Sequence, residues 1–167
     1  MSTVMKMEKN DFKETLLEYI KTIVGTIVVT LLVLHFIQIS RVVGDSMLPT
    51  YHSGNIVLVD KVFYDIEDVK HNDIVVAKYV DEQIIKRVVA IPGDHIACID
   101  NQLYLNGELL DEPYINEKME YKDFAYDVPD GKLFIMGDNR NHSIDSRVIG
   151  YIDFEDEIIG RVFFKVF

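Results

Sequence analysis

The sequence predicts a mostly β fold: an antiparallel β-sheet domain behind a single N-terminal transmembrane helix. Three observations carry this. Residues 22–39 form eighteen consecutive positions without a formal charge. Beyond residue 40 the chain breaks into short runs rich in β-branched and aromatic residues. Between those runs stand Gly, Pro, Asn and Asp clusters that signal turns rather than helices.

The uncharged segment reads TIVGTIVVTLLVLHFIQI. As a helix it spans about 27 Å, close to a hydrocarbon core of roughly 30 Å. Leu16, Leu17, Tyr19 and Ile20 extend it into the interface. A cleaved signal peptide would have a shorter apolar stretch and a small-x-small site behind it. The first alanine is Ala77, and a cut after Gly44 would remove the residues just before Ser46. An uncleaved anchor is therefore expected, with residues 1–21 before it and residues 40–167 after it. Lys6, Lys9, Lys13 and Lys21 precede the anchor, whereas Arg41 alone represents Lys or Arg in the next twenty residues. This asymmetry predicts a cytoplasmic N-terminus and an extracytoplasmic domain over 40–167.

Expected strands cover 55–60, 73–78, 83–91, His95–Ile99, Gln102–Leu105, Lys132–Met136 and 158–167. Asn106-Gly107 predicts a tight hairpin after the fifth of them. No long helix is expected after the anchor. The acidic, tyrosine-containing stretch 111–127 is the least regular and reads as a surface excursion.

With 167 residues, the chain has room for one domain plus the anchor. Its net charge of −11 falls entirely after residue 21, because four lysines and four acids cancel before it. An acidic surface excludes nucleic acid as partner, since phosphate binding needs basic groups. Cys98 is the single cysteine, so no intrachain disulfide exists; its apolar surroundings predict a buried packing thiol.

Three polar features stand out. Gly44-Asp45-Ser46-Met47-Leu48-Pro49 sets a serine on a turn just beyond the anchor. Alone it reads as a turn. Four histidines follow (His52, His71, His95 and His142), and none has a pattern that marks a base. Lys86 is different, because it interrupts the apolar run 83–91. Strand alternation sets it with Ile84, Val88 and Ala90, and Arg87 with Ile85, Val89 and Ile91. Burial lowers a lysine's pKa toward neutrality, whereas arginine stays charged. Lys86 is thus a candidate base and Arg87 a structural ion-pair or surface residue. An edge-strand lysine reaching for solvent is the alternative. Finally, Gly137-Asp-Asn-Arg-Asn-His-Ser-Ile-Asp-Ser-Arg147 is a dense polar run after an apolar strand. If extended, Ser143, Asp145 and Arg147 project to one side, Ser143 toward a lysine and the other two as a bracing pair. A plain polar hairpin is the other reading.

Taken together, these pieces resemble the type I signal peptidases. Gly44-Asp-Ser-Met-Leu-Pro-Thr50 matches the nucleophile box, Lys86-Arg-Val-Val-Ala-Ile-Pro-Gly-Asp94 the lysine box, and residues 137–147 the terminal box. Order, spacing and anchor agree over about residues 16–167. The resemblance implies a membrane-bound serine endopeptidase that removes signal peptides from exported preproteins, cutting after small residues at −1 and −3. It implies Ser46 as nucleophile and Lys86 as general base, with Ser143, Asp145 and Arg147 in support. It also implies no metal or cofactor, with the lipid bilayer and preprotein signal peptides as partners. The compact length resembles the short Gram-positive forms. Some members carry a serine two positions before the nucleophile to help hold the oxyanion; here that position is Gly44, as is common in the short forms. Two other classes fit the chain less well. A non-catalytic tethered β module has no use for both Ser46 and Lys86, and a self-cleaving Ser-Lys repressor needs a DNA-binding domain where this chain has an anchor.

Overall fold

The computed structural model describes residues 2–167, with side chains within the first helix described from Lys13 onward. Lys6 and Lys9 of the basic flank therefore lie outside the described side chains. The chain divides into two units, Met1–Phe36 and Ile37–Phe167.

The first unit is helix α1 (Ser2–Phe36). Its stretch Lys13–Phe36 is long and apolar enough to cross a membrane, and its apolar side chains are exposed, as they must be to meet lipid. The helix stops three residues short of the expected segment. Ile37–Ile39 instead begin strand β1 (Ile37–Arg41), which pairs in five rungs with β2 (Ile56–Asp60). Hydropathy alone cannot separate the end of an apolar helix from an apolar strand that continues it. Here the ladder to β2 satisfies the backbone and decides the matter.

The second unit holds two antiparallel sheets. Further strands are β3 (Ile74–Tyr79), β4 (Glu82–Ala90), β5 (His95–Ile99), β6 (Gln102–Leu105), β7 (Glu108–Leu109), β8 (Phe124–Asp127), β9 (Lys132–Met136), β10 (Ile152–Asp153) and β11 (Ile158–Lys165). Two one-turn helices, α2 (Ser146–Ile149) and α3 (Phe154–Glu157), flank β10. Seven strands run in the order β1-β2-β11-β3-β4-β9-β10, and four in the order β7-β6-β5-β8. Asn106 and Gly107 both take positive φ and close the β6–β7 hairpin, where Leu105 faces Glu108.

Three apolar clusters hold the domain. One joins the sheets, with Val89, Ala90, Phe134 and Met136 packed on Ile96, Cys98 and Leu103. A second gathers Val75, Ala77, Val88, Leu133, Ile135 and Ile152. The third sets Met47 and Tyr51 of the serine-bearing turn against Val57, Val59 and Val76. Burying Met47 costs the turn its freedom, so Ser46 stands on an anchored loop. Cys98 is fully buried, and burial pushes its thiol up. The excursion 111–127 is less superficial than its composition suggests. Phe124–Asp127 pair with β5, and Met119 joins the inter-sheet cluster.

Candidate active site

Ser46 sits at the start of a turn whose backbone is pinned from the terminal box. Gly44 takes a φ of +84°, a left-handed conformation that glycine adopts without strain. The Asn139 N–H donates to the Ser46 carbonyl at 3.0 Å, and Asn139 Nδ2 donates to the Asp45 carbonyl at 3.1 Å. No hydrogen bond among the described residues takes the Ser46 N–H. Gly137 lies so close beneath that a Cβ there would collide with the Ser46 carbonyl and the Ser143 side chain.

Lys86 reaches Ser46 from β4. Its Nζ lies 2.7 Å from Ser46 Oγ in a hydrogen bond and donates to the Ile85 carbonyl at 2.9 Å. The residue is only 3% exposed. Desolvation lowers its pKa from 10.5 to about 8, against the opposing pull of the Asp145 and Asp138 carboxylates. At pH 7 roughly a tenth of such a group is neutral, some 300 times more than for a free lysine.

Each opposing carboxylate has an arginine of its own. Arg87, next to the base, grips Asp138 with two bonds, Nε to Oδ1 at 2.8 Å and Nη2 to Oδ2 at 2.6 Å. Thr50 Oγ1 also donates to Asp138, and Arg87 Nη1 donates to the Asn72 carbonyl. Arg87 is therefore a buried ion-pair residue rather than a surface one. Asp145 receives Arg147 Nε and Nη2, both at 2.8 Å, and the Gly137 N–H at 2.9 Å. Each pair is nearly neutral as a unit, which limits how far the carboxylates raise Lys86.

The terminal box is not an extended strand. Asp145 caps α2 by accepting the Arg147 N–H, so Arg147 curls back onto it and the three residues do not share one side as the extended reading expected. Ser143 Oγ is buried beside the Ser46 carbonyl and Gly137, with no hydrogen-bond partner among the described residues. Lys86 is bonded to the Ser46 hydroxyl and the Ile85 carbonyl, and no hydrogen bond joins it to Ser143 among the described residues. Asp138, Asn139 and Thr50 were missed by sequence reasoning. The first two lie inside the polar run, yet no local pattern shows which of its members turn inward.

A cavity of about 190 Å³ opens beside the pair, lined by Ser40, Val42, Val43, Ile84 and Ile85 as well as Ser46 and Lys86. It lies between two unpaired backbone edges. β1 ends its sheet, and residues 82–86 of β4 pair only with β3 among the described residues. Gln38 Nε2 bridges to Gln83 Oε1 at 3.1 Å across the gap. Among the described residues no group of three or more His, Cys, Asp or Glu could hold a metal.

A family model described as "Signal peptidase, peptidase S26" matches residues 16–167. The chain belongs to this signal peptidase family. Signal peptidase I S of Bacillus subtilis (strain 168) is 40% identical over 156 residues, covering 86% of this chain and 84% of the relative. Signal peptidase IB of Staphylococcus aureus (strain N315) is 34% identical over 173 residues, covering 92% and 90%. Among solved structures, a signal peptidase I from Enterococcus faecalis V583 superposes with a TM-score of 0.51 at 28% identity, covering 57% of this chain and 97% of that one. For a type I signal peptidase, a mostly antiparallel β domain with one apolar N-terminal helix is thus the observed architecture.

Proposed function

We propose that this signal peptidase removes signal peptides from exported preproteins with Ser46 as nucleophile and Lys86 as general base. The 2.7 Å approach of Ser46 Oγ to a buried lysine carries the reading. Neutral Lys86 takes the Ser46 proton as Oγ attacks the scissile carbonyl. The resulting lysinium gives that proton to the departing amine, leaving an acyl-enzyme. Lys86, neutral again, then takes a proton from water, which attacks the ester; the lysinium gives that proton to the departing Ser46 oxygen, and both groups return to their starting forms. The free Ser46 N–H is the donor for the oxyanion, and Gly44 adds no side-chain donor.

Substrate binds extended between the free edges of 40–43 and 82–86, adding a strand to each. The cavity of about 190 Å³, walled by Val42, Val43, Ile84 and Ile85 beside Ser46 and Lys86, receives the small side chains at −1 and −3 in this reading. Ser143, Asp145 and Arg147 support the site: the last two brace Gly137, and Ser143 packs beneath the Ser46 carbonyl. The lysines before the anchor favour a cytoplasmic N-terminus, which puts residues 40–167 on the outer face, where signal peptides emerge. Sharing one bilayer with its substrate raises their effective concentration.

The test is cleavage of a precursor by the purified full chain. Ser46→Ala, Lys86→Ala and Lys86→Arg are each expected to lower kcat/KM by about 10³-fold or more. Wild-type kcat/KM rises tenfold per pH unit below about 8 and levels above it. Retained cleavage in either alanine variant, or a flat rate from pH 6 to 10, would overturn the assignment.

A further inference from the structure

The irregular segment between β7 and β8 reaches across the charges that support the site. Tyr114 lays its ring over the Arg87 guanidinium, 3.9 Å from ring centroid to Cζ. The Arg140 guanidinium approaches the same ring at 5.8 Å. Glu112 pairs with Arg140 Nη1 at 2.6 Å and accepts the Tyr114 hydroxyl at 3.2 Å. Arg140 is itself fully buried and donates through Nε to the Gly137 carbonyl at 3.0 Å. One loop thus touches the neighbour of the base, through Arg87, and the floor of the nucleophile turn, through Gly137.

We propose that Tyr114 is a positioning residue: its ring, packed against the guanidinium groups of Arg87 and Arg140, locks Arg87 onto Asp138, whose carboxylate acts on Lys86. The inference rests on the Ser-Lys reading above. A guanidinium covered by an aromatic face is attracted to the ring and cannot be hydrated on that side. When desolvated, the contact favours the bound arrangement by up to roughly 30-fold. Arg87 adjoins Lys86 in β4, so movement of one shifts the backbone of the other. The charged groups facing Lys86 are Asp138 and Asp145, paired with Arg87 and Arg147. If the ring is lost, Arg87 neutralises Asp138 less well, and the freer carboxylate favours the lysinium. The loop contributes nothing to the lining of the substrate cavity, so binding is untouched.

The experiment measures kcat and KM of the full chain in detergent across pH 6.5–10.5, with a peptide spanning a signal-peptide cleavage site. Tyr114→Leu is expected to lower kcat at pH 7 about threefold and move the acid limb up by about half a pH unit. KM stays unchanged. Tyr114→Phe keeps the ring and restores both the rate and the limb. An unmoved limb in Tyr114→Leu overturns the proposal. So does an effect on KM alone, or an equal loss in Tyr114→Phe, which would assign the role to the hydroxyl. Where near-ultraviolet circular dichroism shows that Tyr114→Leu has lost its fold, Tyr114→Met, which keeps the volume without the aromatic face, decides: an upward move of the limb at constant KM supports the proposal, and no move overturns it. A wild-type profile without an acid limb refutes the Ser-Lys reading itself, which separates the two failures.

Discussion

Replacing Lys86 by methionine should make the folded domain more stable at pH 7 and less stable at pH 10.5. The side chain is 3% exposed and its pKa falls from 10.5 to about 8. In that window the unfolded chain binds a proton that the folded protein does not. Wild-type stability therefore rises with pH between about 8 and 10.5, and below 8 the full cost of the buried amine applies. At roughly 1.4 kcal/mol per pH unit the cost is about 3 kcal/mol. Methionine has nearly the same length and no charge to desolvate, so it escapes this cost. It forfeits the bonds to Ser46 Oγ and the Ile85 carbonyl, worth about 1 kcal/mol each. The net gain at pH 7 is about 1 kcal/mol, a rise in Tm of roughly 2–6 °C. Near pH 10.5 the desolvation cost has vanished, and the variant is left about 2 kcal/mol less stable. Thermal melts of the full chain in detergent, followed by near-ultraviolet circular dichroism at several pH values, read the crossing directly. A difference between the two proteins that does not change with pH would mean Lys86 is charged in the folded state, and the argument for it as base would fail.

Gly137→Ala drives a methyl group into the Ser46 carbonyl and the Ser143 side chain. Overpacking of this kind costs about 1–3 kcal/mol, and because the clash falls on the nucleophile turn, kcat should fall at least about tenfold; calorimetry and kinetics on one preparation check both. Asp138→Asn removes one partner of the buried pair with Arg87, for a loss of about 3–5 kcal/mol in denaturant melts. Asp138 also raises the Lys86 pKa, so whatever folded enzyme remains should show its acid limb at lower pH; an upward shift would contradict that electrostatic assignment.

Much of this fold was legible in the chain because its signals are local. The strands Gln102–Leu105 and Lys132–Met136 declare themselves by composition, and Asn106-Gly107 by the positive φ that its turn demands. Lys86 was visible as an anomaly, a cation inside an apolar run, and Ser46 as a serine held between Gly44 and Pro49. Strand β1 was hidden, since Ile37–Ile39 continue the apolar character of the anchor and only the partner β2 shows that they are extended.

By itself the sequence determined the class of fold, the apolar N-terminal helix and the residue types a serine–lysine chemistry needs. What only the tertiary structure decided are the distances. Ser46 and Lys86 are 40 positions apart and Arg87 and Asp138 are 51 apart, and only sheet pairing brings them within reach. Tyr114 carries no local signal, because a ring over a guanidinium is a relation between two remote segments. The pKa of Lys86 is decided there too: it depends on how much water the assembled sheets exclude, and no stretch of chain excludes water alone.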